Sequence, residues 1–95
     1  MHSVTSNAVA EKVLKWNNHI LNITSIDFPK NTTEIDISSL SYTRAIILGG
    51  AVYGSFGTRP IDVSNSYIDA NKIVYLKFNL EEWRTYTGSL IIGYY

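Results

Sequence analysis

The stretch SVTSNAVAEKVLKW, residues 3–16, stands in front of a body with a different hydrophobic period. Val9, Val13, Trp16 and Ile20 follow one another at spacings of four, three and four residues. This spacing is typical of a coiled-coil seam and is narrower than the face that a helix packs on a sheet. An isolated helix shorter than about 12–15 residues is marginal in water. We therefore predict a helical stalk whose four seam residues contact other copies of the chain.

The hydrophobic period changes after the stalk, where the cluster Asn17-Asn18-His19 interrupts the helical spacing. Beyond the cluster, β-branched and aromatic residues recur with a period near two, which is typical of strands. The sequence thus predicts two parts, a helical stalk over residues 1–18 and a β head over residues 19–95.

Two segments give the clearest strand patterns of the head. Residues 72–79 alternate, which predicts that Val74, Leu76 and Phe78 face the core. Residues 88–95 place Leu90, Ile92 and Tyr94 on one face, and an apolar closing segment predicts a paired core strand.

A third segment, residues 43–52, contains the continuous apolar run Ala45–Leu48. Such a run predicts an interior strand that is buried on both faces. The pair Gly49-Gly50 predicts a bulge or a close backbone approach.

The remaining head is assigned from weaker patterns. They predict strands over residues 20–26, 34–38 and 61–68, a turn over residues 69–72, and loops over residues 53–60 and 80–87. Short strands with frequent turns and no second helix favour a mainly β fold, an antiparallel β-sandwich or jelly-roll-like head behind the stalk.

The start of the stalk carries a resemblance to a known family. Residues 3–10, SVTSNAVA, resemble the "VTSNAVA" helix start of tail-fibre and receptor-binding proteins of bacteriophages and prophages, which precedes a C-terminal β head. The body is similar to those heads in IDISSLSY, residues 35–42, and in LIIGYY, residues 90–95. The resemblance implies a homotrimer at the tip of a virion tail, extracellular on release, which joins upstream fibre segments and binds a host-surface glycan or protein. The seam alone leaves trimer and dimer open.

Composition excludes several classes of protein. Eight basic residues balance eight acidic ones, so no net field attracts nucleic acid or an anionic membrane. With no cysteine, the chain has no disulfide, thiolate zinc site or cysteine nucleophile. The longest mostly apolar run, residues 45–53, is far shorter than the ~20 residues that a membrane span needs. The polar start lacks the apolar region of a signal peptide, and we expect the chain to be the C-terminal part of a longer protein.

No motif predicts catalysis or a cofactor. Ser55 directly follows Gly54, whereas a nucleophile elbow needs one residue between glycine and serine. The side chains of Glu81 and Glu82 are adjacent in sequence and point apart on a strand or a helix. We predict that the chain is not an enzyme.

An oxygen-rich stretch raises calcium as an alternative to ordinary turn chemistry. It consists of Asp62, Ser64, Asn65, Asp69 and Asn71. The twelve-residue calcium loop requires a glycine and a bidentate glutamate at the positions where Tyr67 and Ile73 stand. Turn chemistry is therefore the favoured interpretation.

Aromatic residues that stand near polar residues in the sequence, together with one arginine, are the candidates for ligand binding. Sugars offer apolar C–H faces surrounded by hydroxyls, so they suit an exposed ring beside polar side chains. The candidate residues are Tyr53, Arg59, Tyr67, Trp83 and Tyr86. Each ring could instead fill the core or a subunit interface, where aromatic residues are common. Trp83 and Tyr53 are predicted to be exposed because they lie outside the regular strand patterns.

Three functions are compatible with these patterns. The first is a receptor-binding fibre tip, and the second is a structural trimerisation or capping module without a ligand. The third is a bacterial carbohydrate-binding or adhesin module that would work as a monomer. The resemblance favours the first.

Overall fold

The computed structural model describes residues 15–54, 57–78 and 85–95, and this part of the chain is mainly β. The strands are β1 Lys15–Trp16, β2 His19–Ile20, β3 Asn22–Phe28, β4 Glu34–Asp36, β5 Ala45–Gly54, β6 Gly57–Pro60, β7 Tyr67–Ile68, β8 Ile73–Tyr75 and β9 Tyr86–Tyr94, with a 3-10 helix over Val63–Asn65. Every strand pairing in these ranges is antiparallel. The prediction of a mainly β, antiparallel head is confirmed.

The larger sheet has four strands in the order β3-β9-β5-β6. Strand β9 lies between β3 and β5 and pairs with β3 from Asn22↔Tyr94 to Phe28↔Gly88. The side chains of Leu90 and Ile92 are fully buried. The closing segment is therefore a paired core strand, as predicted, although it begins at Tyr86 rather than at residue 88.

The smaller sheet has three strands in the order β4-β8-β7. Its central residue Val74 is fully buried and pairs with Ile35 on one side and Ile68 on the other. Leu76 is buried and Phe78 packs against the core, so the predicted core face of this segment is confirmed. The strand itself ends at Tyr75.

One hydrophobic cluster joins the two sheets. It contains Phe28, Ile35, Ile37, Ile47, Val52, Ile61, Val74, Leu76, Leu90 and Ile92. Both sheets contribute to it, which explains why each alternating strand buries one set of side chains and exposes the other. The strand predicted over residues 61–68 is instead a buried Ile61, the 3-10 helix and the short β7.

Strand β5 contains a bulge at the predicted glycine pair. Its register with β9 shifts between Ile47 and Gly49, so Leu48 is the extra residue. The backbones also approach closely here, since a Cβ on Gly50 would lie 2.6 Å from the carbonyl oxygen of Ser89. Both interpretations of the glycine pair hold.

The prediction that the run Ala45–Leu48 is buried on both faces is wrong. Ile47 faces the core, but Ile46 is 42% exposed. Ile46 pairs with Gly93, and so does the exposed Ile23 on the far side of β9. These residues share the outer face of the four-stranded sheet, and only its inner face meets the hydrophobic cluster.

The predicted helical seam is wrong at Trp16 and Ile20, because both residues lie in a two-stranded hairpin. Asn17 and Asn18 form its turn with positive φ values of 52° and 65°. Two such residues in a two-residue loop match the twist of paired strands, and asparagine tolerates this conformation. The hairpin spans the predicted boundary between residues 18 and 19. The rest of the predicted helix, with Val9 and Val13, lies outside the described residues.

Aromatic packing fixes the hairpin against the end of the chain. The ring of Trp16 meets the ring of Tyr95 edge to face at 5.7 Å, and His19 stacks on the same ring at 4.0 Å. The side-chain amide of Asn17 donates a hydrogen bond to the Tyr95 hydroxyl at 3.2 Å. Contact with Tyr95 explains why Trp16 favours a strand over a helix.

Candidate functional site

A shallow groove of about 320 Å³ lies where β3 ends and β9 begins. We call it the tyrosine groove, and it is lined by Lys30, Tyr53, Gly54, Thr85, Tyr86 and Thr87. The strand register builds its floor, because Tyr53 pairs with Thr87 and Gly54 pairs with Tyr86. Two of the aromatic candidates, Tyr53 and Tyr86, therefore come together at one site.

Tyr53 presents its ring on the outer face of β5 and is 47% exposed. Its hydroxyl lies 3.1 Å from the Ser89 hydroxyl on the neighbouring strand, within hydrogen-bond distance. This contact restrains the ring, so a ligand that stacks on it loses less side-chain freedom on binding. The predicted exposure of Tyr53 is confirmed, but the residue lies within a strand and not in a loop.

Tyr86 is half-buried and forms the inner wall of the groove. Its hydroxyl donates to the carbonyl oxygen of Thr32 at 3.3 Å, and its ring meets Phe78 edge to face at 4.9 Å. Burial raises the pKa of the Tyr86 hydroxyl, which therefore stays protonated and neutral at physiological pH. Tyr86 thus both packs against the core and lines the groove.

Asn31 ties the turn after β3 to the start of β9. Its backbone N–H donates to the Tyr86 carbonyl at 2.9 Å, and its side-chain oxygen accepts from the Tyr86 N–H at 3.1 Å. Asn31 has a φ of 57°, a conformation that asparagine adopts more readily than most residues. The two bonds fix the backbone beside Lys30, whose side chain is exposed at the rim.

The chemistry of the tyrosine groove is amphipathic. It combines an exposed ring, the threonine hydroxyls of Thr85 and Thr87, and the ammonium group of Lys30. A ring can cover apolar C–H groups while the hydroxyls and the ammonium form hydrogen bonds around them. This combination suits a small polar ligand with one apolar face.

Tyr67 lies at a different groove, of about 230 Å³. The ring of Tyr67 is 57% exposed and stacks on Tyr75 at 4.9 Å. The other lining residues are Ala45, Ile46, Ile47, Val63, Ser66 and Ile68. Because these walls are mainly aliphatic, they offer few hydrogen bonds to a sugar.

Arg59 does not line either groove. Arg59 is exposed on β6, where it pairs with Val52. Trp83 lies outside the part of the chain that the structure describes. The sequence interpretation missed Lys30, because only the pairing of β3 with β9 places residue 30 beside residue 86.

The oxygen-rich stretch forms turns. The Asp62 carboxylate accepts from the Ser64 hydroxyl at 2.7 Å and from the Asn65 amide at 2.6 Å. Hydrogen bonds from Asn65 and then from Ser64 lower the pKa of Asp62. Asp69 accepts the backbone N–H groups of Asn71 and Ile73, each at 2.9 Å. These donors engage the carboxylate oxygens, which favours turn chemistry over calcium binding.

Neither a metal-ligand cluster nor a membrane-spanning helix occurs within residues 15–54, 57–78 and 85–95. No group of three or more histidine, aspartate or glutamate side chains in these ranges is placed to hold a metal ion. No helix there is long and apolar enough to cross a bilayer.

Comparison of the chain with protein-family models, curated proteins and solved structures finds no match.

Proposed function

We propose that this chain is the receptor-binding tip of a phage-like tail fibre, a homotrimer that binds a host-surface glycan through the tyrosine groove. The observation that carries the proposal is the restrained, exposed ring of Tyr53 beside threonine hydroxyls and an ammonium group. The resemblance of residues 3–10 supports the fibre setting, with the protein joined to upstream fibre segments on a virion tail.

The groove suits a saccharide better than a large protein surface. Pockets for small ligands start at about 300 Å³, so the volume of about 320 Å³ suits one or two sugar rings. If a sugar covers ~50 Å² of the Tyr53 ring, the contact contributes about 1.3 kcal/mol, or roughly tenfold in affinity. Three copies on one fibre would multiply such weak contacts through avidity.

The arrangement of the sheets supports the finer proposal of a sandwich or jelly-roll-like head. Side chains from both sheets enter one cluster, with Leu90 and Ile92 from the larger sheet and Ile35 and Val74 from the smaller. In a sandwich the binding loops gather at one end of the two sheets. The tyrosine groove lies at such an end, where β3, β5 and β9 start or finish.

An exposed apolar strip on the outer face of the larger sheet supports assembly of copies. Ile23 is 56% exposed, Ile46 42% and Ile91 40%, and the strand register puts them on one face. In β3 and β9 only Asp27 is charged. Burying apolar surface that carries little charge costs little desolvation free energy when copies associate.

Sedimentation equilibrium tests the assembly. We expect a trimer of 10.7 kDa chains at micromolar concentration. Val13→Asp should dissociate it, because the variant would bury carboxylates against one another at the predicted seam. Asn7→Asp adds the same carboxylate away from the seam and should leave the trimer intact. A monomeric wild-type chain would contradict the fibre proposal and favour an adhesin or carbohydrate-binding module.

Binding to host cells or to a glycan array tests the receptor role. Tyr53→Ala should weaken binding about tenfold, whereas Tyr53→Phe keeps the ring and should retain most of it. Tyr67→Ala removes an exposed ring from the other groove and serves as the control. Trp83→Ala tests the remaining aromatic candidate. A trimer that binds no glycan or cell surface would favour the structural capping module.

A further inference from the structure

We propose that the tyrosine groove selects an acidic saccharide, with the ring of Tyr53 under the sugar and Lys30 facing its carboxylate. This inference rests on the proposed function, because it specifies the ligand of the same groove.

The position of Lys30 is fixed by the turn that carries it. The neighbouring residue Asn31 forms two hydrogen bonds with the backbone of Tyr86, at 2.9 and 3.1 Å. The Tyr86 hydroxyl holds the carbonyl of Thr32 at 3.3 Å. These bonds attach the turn to the groove wall immediately after Lys30. The backbone position from which the Lys30 side chain extends is therefore fixed at the rim.

The charge of the groove has one sign among the residues that line it. Lys30 is the single charged side chain of this lining in the described ranges. Tyr53 and Tyr86 offer aromatic rings, and the threonines offer hydroxyls. A neutral sugar has no carboxylate, whereas an acidic sugar offers one that would accept a charge-assisted hydrogen bond from the Lys30 ammonium group.

An acidic residue on the outer face of the sheet constrains how the ligand lies. Asp27 is on the outer face of β3 and pairs with Ser89, the residue whose hydroxyl meets Tyr53. Asp27 does not line the groove. The sugar carboxylate would therefore lie at the Lys30 end, away from Asp27, with hydroxyls toward the strand surface.

A matched pair of ligands tests the selection. Glucuronic acid and its neutral amide, glucuronamide, share one ring and differ in the carboxylate. Both are titrated into the full chain while backbone amide shifts are followed by NMR, in the wild type, Lys30→Gln, Tyr53→Ala and the control Lys77→Gln. The amide spectra also report whether each variant is folded.

We expect the acid to bind about three- to fivefold more tightly than the amide, the effect of one exposed ion pair. Lys30→Gln should abolish the difference and Lys77→Gln should preserve it, while Tyr53→Ala should weaken both ligands alike. Raising the salt from about 20 to about 300 mM should reduce the preference, since exposed charges are screened.

Two results would overturn the inference and are distinguishable. If both ligands shift the groove resonances with equal affinity, and Lys30→Gln changes neither, the groove binds sugar without charge selection and the proposed function stands. If neither ligand shifts those resonances, while a host-cell extract binds equally to wild type and Tyr53→Ala, the tyrosine groove is not the receptor site and both proposals fail.

Discussion

Gly88 provides the sharpest test of the packing that we describe. It lies on β9 opposite Phe28 of β3 and Val52 of β5. A Cβ at Gly88 would lie 2.6 Å from Cε2 of Phe28 and 2.5 Å from the Ala51 carbonyl oxygen. Real Cβ atoms do not approach other atoms this closely, so Gly88→Ala must displace the ring, the backbone or both.

The expected loss of stability in Gly88→Ala depends on how far the Phe28 ring can move. Phe28 is 2% exposed, so its ring cannot swing into solvent without leaving a hole in the core. Overpacking costs about 1–3 kcal/mol, and complete loss of a buried phenylalanine costs about 3–5 kcal/mol. We expect Gly88→Ala to lower the free energy of unfolding by about 2–4 kcal/mol. For a domain of this size, the midpoint of thermal unfolding should fall by roughly 10–25 °C.

The assay is thermal or guanidinium unfolding at a fixed protomer concentration, because oligomers unfold in a concentration-dependent way. Gly49→Ala is the matched control, since a Cβ at Gly49 meets nothing within 4 Å. It should change stability by less than about 0.5 kcal/mol. In a Phe28→Leu background the cost of Gly88→Ala should shrink, although the Ala51 carbonyl contact remains. A Gly88→Ala protein as stable as the Gly49→Ala protein would refute this account of the β3–β9 packing.

Three further predictions concern single side chains. Asn18→Val should destabilise the β1–β2 hairpin by about 1–2 kcal/mol, because a β-branched residue resists a φ of 65°. Asn18→Gly should be tolerated. Near-ultraviolet circular dichroism, which is sensitive to the Trp16–Tyr95 contact, reports the difference between the two variants. Tyr86→Phe should cost about 1 kcal/mol in chemical unfolding, because it removes the bond to the Thr32 carbonyl, and equal stability would contradict that bond. The pKa of Asp62 is lowered from 3.8 by hydrogen bonds from Asn65 and Ser64, so the stability that this carboxylate contributes is present above about pH 4 and is lost as pH falls through the folded-state pKa. Asp62→Asn should therefore flatten the decline of stability below about pH 4, and an unchanged acid profile in chemical unfolding would contradict the assignment.

Local patterns predict the strands whose burial is one-sided. The alternation around Val74 and Leu76, and that of Leu90 and Ile92, each identifies the core face correctly, because such a strand needs only its own period to show which side is apolar. The pair Gly49-Gly50 is informative for a similar reason. A glycine pair inside a strand indicates a local departure from regular strand geometry, and the bulge is such a departure.

Features that depend on distant residues are not predictable in this way. Ile46 is apolar yet exposed, and a run of four apolar residues does not reveal which faces of a sheet are covered. The spacing of Trp16 fits a helix seam, whereas its partner Tyr95 lies at the other end of the sequence. The tyrosine groove likewise depends on pairing that joins residues 30, 53 and 86, so the sequence names two of its rings and omits its lysine.

The extra residue at Leu48 has a consequence for how β5 tolerates change. Before the bulge, odd-numbered Ile47 points inward, and after it even-numbered Val52 does, so the bulge changes the parity of the inward-facing side chains. Loss of Leu48 would restore a regular ladder in which Gly49 follows Ile47 directly, so Val52 would still face the core and the Tyr53 ring would still face outward. The bulge can therefore absorb the loss of one residue in β5 without exchanging the buried and exposed faces of the strand, whereas the loss of a residue from a strand without a bulge would exchange them.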